Sequence, residues 1–388
     1  MPKNSIADDN HYLPFIDGLR GIAILMVVWF HLSGRHHDVD YGPFLNTFID
    51  QAALGVQLFF VISAFTLFHA SGARFRTDRF PKLSFYIRRM FRILPFWWIM
   101  VFVYARLGGI HDVSRILENI FLYFGFTRYH YALDLIPVGW TIFVEETFYA
   151  MMPFLLAHVT GLAAAFRFWL ATMLIAVSWK FVATSLQLPT ANHFLIAFPL
   201  AHWWTFAIGI IIYFIFKDHR PAVEAFFRKW WSLVLFGLFL AYALLGNAML
   251  WTSVALACLV PASFAGHGTI GKIARHPLLM RFGGYCYSIY LLHWIIIDAL
   301  RPAQDWVFGA INLGRYALEL RLVLWFPVVA AVCLGCGWAA FTFIEKPCVN
   351  LGKLTVKGVS AWLASRPPAR QLAMVRVIES EEELRVNK

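Results

Sequence analysis

The chain has 388 residues, of which 60% are hydrophobic, 18% aromatic and only 14% charged, with a formal net charge of +11. Soluble domains carry about 25% charged residues, so a water-soluble monomer is excluded, as are a disordered chain, a disulfide scaffold and a nucleic-acid binder. A bilayer is the solvent that fits, and the excess of lysine and arginine then marks cytoplasmic loops.

Apolar runs long enough to cross about 30 Å of hydrocarbon are predicted near 15–33, 51–70, 92–108, 140–157, 166–186, 199–216, 230–246, 249–265, 285–301 and 322–345. The expectation is an all-α polytopic membrane protein of about ten transmembrane helices. The run 116–126 is too short to cross and reads as an interfacial or re-entrant piece. Most of the 33 lysines and arginines fall in 71–92, 217–229, 266–284 and after 345. These segments share one side of that path, so both termini are expected in the cytoplasm. The first run follows Asp8 and Asp9 and reads as a span rather than a cleaved leader. The chain divides into a membrane part, 1–349, and a polar tail, 350–388. Five scattered cysteines, Cys258, Cys286, Cys333, Cys336 and Cys348, read as small core residues, and no metal site is expected.

Polar residues inside spans are costly and therefore informative. In the first span Arg20 and His31 lie eleven positions apart, about 16 Å along a helix. Arg20 reads as a headgroup anchor or a functional cation, with Asp17 placed to pair with it. His31 reads as an interfacial histidine or a general base. Arg88, Arg89 and Arg92 gather where the third span begins, which suits either topology alone or phosphate binding. Glu145 and Glu146 enter the fourth span from its outer end, and Thr141, Glu145 and Tyr149 form one stripe. Their alternatives are an ion pair with a neighbouring arginine or a chemical role. In the ninth span Cys286, Tyr290 and His293 share a face, and His293 reads first as a buried, hydrogen-bonded histidine. Glu345, at the end of the last span, is placed to pair with arginines at its level. Ser63 lacks a nucleophile-elbow context and reads as a packing serine.

Taken together these segments resemble the membrane-bound acyltransferase-3 family. FIDGLRGIAILMVVWFHL resembles its opening motif, in which an arginine and a histidine are separated by ten residues, as Arg20 and His31 are here. GVQLFFVISAF, FYIRRMFRILPFWW, VGWTIFVEETFYAMMP, GYCYSIYLLHW and FIEKP resemble the family's later segments, in the same order, over roughly 12–350. Gln57, Ala64 and Thr147 depart from its usual aspartate, glycine and glutamine. The residues after 350 are too few for the soluble domain fused to some members.

The resemblance implies an O-acyltransferase of a bacterial inner membrane. The donor would be acetyl-CoA or another acyl-CoA from the cytoplasm. The acceptor would be a hydroxyl of a glycan, a lipid-linked saccharide or another surface molecule. His31 and Arg20 are carried over as the catalytic pair. Glu145 or Glu146 would orient or stabilise the imidazole, as a carboxylate does in a triad. Arg88, Arg89 and Arg92 would hold the coenzyme A phosphates, and Asp17, Tyr149, Tyr290 and His293 are further pocket candidates. His31 would act as a base or carry the acyl group itself. A secondary transporter or flippase of a glycan or glycolipid is the alternative reading of the same spans.

Overall fold

A computed structural model describes residues 12–34, 39–126, 135–185, 198–245, 248–266, 268–309, 311 and 317–365. The expected tail beyond 365, and Arg35, Arg128 and Arg315 of the expected outer loops, lie outside these residues. Every regular element among the described residues is helical. Among the described residues five segments are long and apolar enough to cross a membrane: Pro14–Ser33, Leu45–Gly72, Pro81–Leu107, Leu162–Val182 and Leu318–Ser365.

Helix α1 (Pro14–Ser33) opens on a proline, whose missing N–H costs nothing in a first turn. It ends at Gly34, whose φ of 72° turns the chain away, with the Gly34 N–H donating to the His31 carbonyl. Proline also opens α2 (Pro43–Ala52) and α4 (Pro81–Leu107), which flank α3 (Gly55–Thr77). The predicted short run near 116–126 becomes α5 (Val113–Ile120), capped by the Asp112 carboxylate, and a single tight turn at Tyr123–Phe126. Helices α6 (Gly139–His158) and α7 (Leu162–Ser185) follow.

Helix α8 (Trp203–Leu245) departs from the expected pair of spans joined by a 217–229 loop, because the backbone stays helical throughout. Straight, it would reach on the order of 60 Å, twice the hydrocarbon thickness. Its contacts show that it turns back. Helix α9 (Ala248–Ala262) runs alongside α3, with Thr252 donating to Gln51 of α2, just before α3, at one end and Phe264, just past the C-terminus of α9, against Phe65 of α3 at the other. Helix α8 reaches that second end at Phe216, which packs on both Phe65 and Phe264. Its later residues Phe227, Trp231 and Val234 then line a small cavity with Ala262, Leu259 and Cys258. Pro221 sits in the bend. The polar link remains helical because it is rich in helix formers and carries an Arg220–Glu224 pair at 2.7 Å, one turn apart.

Two short helices, α10 (Thr269–Ala274) and α11 (Pro277–Gly284), lead into α12 (Cys286–Gly309). Helix α1 packs more closely on α11 than on any other helix. The approach is backbone to backbone: a Cβ on Gly18 would stand 1.6 Å from the Ala274 carbonyl oxygen, and one on Gly283 1.6 Å from that of Asp17. Small residues are how membrane helices come this close. The chain ends its described part with α13 (Ala317–Ala340), a wide turn at Phe341–Glu345 with the hydrogen-bond spacing of a π-helix, and α14 (Lys346–Ser365). Helix α14 crosses position 350 without a break and packs against α4, where Gly352 meets Phe91.

Candidate active site

Helices α1, α3, α4, α6 and α12 enclose a cavity of about 100 Å³. Its charged lining is Arg20, Arg89, Arg92 and Glu145, and its hydroxyls include Ser63, Thr141, Tyr149 and Tyr290. Val56, Phe59, Phe60, Ile93 and Ile142 supply apolar wall.

The backbone seat on α10 and α11 sets the turn of α1 that carries Asp17 and Arg20. Asp17 accepts from Arg20 Nη1 at 3.2 Å, and Tyr12 donates to the same carboxylate at 2.9 Å. The other Arg20 nitrogen donates to Thr66 Oγ1 on α3 at 3.3 Å. Thr66 is three residues past Ser63, so α3 presents both hydroxyls on one face.

Helix α4 separates the three arginines that the sequence groups together. Arg89 and Arg92 line the cavity, whereas Arg88, about 100° around the helix from Arg89 and about 40° from Arg92, is drawn aside by its pair with Asp78. Of the three arginines expected to hold phosphate, Arg89 and Arg92 line the cavity and Arg88 does not. The Arg89 guanidinium lies over the Tyr149 ring at 5.2 Å and over Phe85 at 5.8 Å.

Helix α6 supplies the carboxylate. Tyr149, one turn on from Glu145, donates to Glu145 Oε1 at 2.5 Å, and Ser63 Oγ donates to the same oxygen. One turn before Glu145, Thr141 meets the Tyr290 hydroxyl at 2.6 Å. Glu146 does not line the cavity, and its Oε1 is buried without a hydrogen-bond partner. Glu345 is buried and accepts from Ser288 Oγ rather than from an arginine.

His31 lies elsewhere. It and His293 are outside the cavity lining and face each other, His31 Nδ1 to His293 Nε2 at 3.1 Å. Trp294 packs edge-on against His31 at 5.0 Å. Tyr290 connects the two places, its hydroxyl on the cavity wall and its ring 5.6 Å from that of His293. Neither Glu145 nor Glu146, the carboxylates expected to orient or stabilise the imidazole, is hydrogen-bonded to His31. Glu145 spends its hydrogen bonds on Ser63 and Tyr149, and a second histidine stands beside His31 instead. Sequence reasoning took Ser63 for a packing serine and passed over Thr66 and Tyr287 of the lining; the three-residue spacing of Ser63 and Thr66, facing two charged spans, was the available signal.

A family model described as an acyltransferase domain matches residues 13–342. The chain belongs to the acyltransferase-3 family. The protein named "Putative O-acetyltransferase SACOL0978", from Staphylococcus aureus strain COL, is 24% identical over 87% of this chain and 57% of its own length. "O-acetyltransferase OatA" from Staphylococcus aureus strain NCTC 8325 / PS 47 is 22% identical over 86% of this chain and 59% of its own. The chain thus spans less than two thirds of the curated relatives it matches. No solved structure matches it. Within the acyltransferase-3 frame, the matched segment holds every residue of the cavity and both facing histidines.

Proposed function

We propose that this acyltransferase-3 protein is an integral-membrane O-acyltransferase. Its donor is a cytoplasmic acyl-CoA, with acetyl-CoA the simplest case. Its acceptor is a hydroxyl of a carbohydrate, a lipid-linked saccharide or another surface molecule. It lies in a bacterial inner membrane, with about ten spans and both ends in the cytoplasm. The observation that carries the reading is the convergence of Arg20, Arg89 and Arg92, from two helices far apart in sequence, on one cavity with apolar walls. Three guanidinium forks suit the phosphates of coenzyme A, and the apolar walls suit its aliphatic arm. Relatives named as O-acetyltransferases support the acyl group and its bond to oxygen.

Beyond Tyr290, His31 supplies what a weakly acidic hydroxyl needs. The acceptor oxygen attacks the thioester carbonyl carbon while His31 takes its proton. The C–S bond then breaks, and the imidazolium returns the proton to the departing thiolate. Glu145, held by two hydroxyl donors, is the countercharge to Arg20 and Arg89 at the donor end.

Inverted membrane vesicles holding the protein, given labelled acetyl-CoA, test the reading. Release of free thiol together with label in lipid-linked or surface saccharide is expected from wild type and not from His31→Ala. Intact acetyl-CoA in the wild-type vesicles would refute it.

A further inference from the structure

The two facing histidines determine each other's tautomer. His293 is fully buried, and its Nδ1 stands 2.6 Å from the Tyr290 carbonyl oxygen. A carbonyl oxygen only accepts, so that nitrogen carries a proton. A second proton would place a full charge in a buried site, so Nε2 is left with its lone pair. This lone pair faces His31 Nδ1 at 3.1 Å, and the same His31 nitrogen lies 3.0 Å from the Val27 carbonyl oxygen. Both neighbours accept, so His31 Nδ1 bears the hydrogen and the lone pair of His31 is on Nε2. The aromatic rings of Phe30 and Trp294 pack on His31 edge-on, at 5.2 and 5.0 Å.

We propose that His293 is a positioning residue for acyl transfer, which holds His31 in the tautomer whose Nε2 is the base. This rests on the reading of His31 as that base. As the acceptor hydroxyl gives its proton to His31 Nε2, the ring becomes a cation and its Nδ1–H bond to His293 strengthens. His293 neither gains nor loses a proton. Its role is that of the carboxylate in a triad, filled by a neutral acceptor that a fully buried position tolerates. Helix α12 supports the arrangement from one turn, since Tyr290 fixes the proton on His293 and Trp294 packs against His31.

Three variants and one spectrum test it. In His293→Gln an amide oxygen replaces the Nε2 acceptor; His293→Leu removes it at similar volume. With labelled acetyl-CoA and inverted vesicles, Leu is expected to lower kcat about 100-fold with KM for the donor unchanged, while Gln stays within about tenfold of wild type. Thermal unfolding in detergent identifies any variant that has lost its fold. Wild-type kcat in a folded Leu variant overturns the proposal, and so does a folded Gln variant that loses about 100-fold or more. His31→Ala separates the two readings: if it stays active, the base assignment falls; if it is inactive while His293→Leu is not, only the role of His293 falls. The ¹⁵N spectrum of histidine-labelled protein in lipid needs no activity. The signals missing from His31→Ala should be those of an Nδ1–H ring. An Nε2–H ring at His31 overturns the proposal whatever the kinetics.

Discussion

Arg89 lies across the ring of Tyr149, its guanidinium 5.2 Å from the ring centroid, while the hydroxyl of the same ring donates to Glu145. The cation and the carboxylate thus meet through one tyrosine. Stacking sets the plane of the guanidinium and leaves its edge nitrogens for a ligand. Arg89→Lys keeps the charge and loses both the plane and the fork. Donor KM should rise about tenfold with the fold intact, as read by initial rates and thermal unfolding.

Arg88 and Arg92 should behave differently although they are four positions apart. Arg92 is exposed and lines the cavity, whereas Arg88 is held by Asp78. Titration of coenzyme A by calorimetry should show weaker binding for Arg92→Ala and near-wild-type binding for Arg88→Ala. The Arg92 contribution should shrink between low salt and about 0.15 M, where the screening length is about 8 Å. Equal losses in both variants would contradict the facing seen on α4.

Glu145 should matter for stability as well as for rate. It accepts from Ser63 and Tyr149 at one oxygen. Glu145→Leu would strand two hydroxyl donors, at a cost of about 1–3 kcal/mol each. Glu145→Gln keeps an acceptor oxygen and removes the countercharge to Arg20 and Arg89. Leu is expected to lower the unfolding temperature clearly, and Gln to lower kcat with little change in that temperature.

Adjacent glycines in α11 form a controlled pair. A methyl on Gly283 would meet the Asp17 carbonyl oxygen at 1.6 Å, and one on Gly284 meets nothing within 4 Å. Gly283→Ala must push α11 off α1, at a cost on the order of 1–3 kcal/mol, and should raise donor KM by displacing Arg20. Gly284→Ala should leave unfolding temperature and KM unchanged.

Hydropathy and charge made the helical membrane architecture readable, because bilayer burial leaves a mark on every residue of a span. They also drew attention to Arg20, Arg89, Arg92, Glu145, Tyr149 and Tyr290, since charge and hydroxyl stand out against apolar helix; all six line the cavity. Side-chain direction was harder to read. Arg88 looks like its neighbours in sequence and lies only about 40° around α4 from Arg92; its pair with Asp78 is what sets it apart. Helix neighbours were harder still. Nothing in the first span says that His31 meets α12 rather than α6, because the choice depends on how glycines let α1 settle on α11. The unbroken backbone of α8 was hidden because its polar link has a loop's hydropathy and a helix's propensities.

Biogenesis bears on the same glycine seat. Helix α1 leaves the ribosome well before the segment that clasps it, 274–283, which emerges only after every helix from α2 to α9. In that interval Arg20 has Asp17 within its own helix as a neutralising companion, which eases its passage into lipid. The arginine-lined cavity is therefore completed late in translation, and under the proposed function nascent chains stopped before α11 should insert into the bilayer without yet gripping a nucleotide thioester.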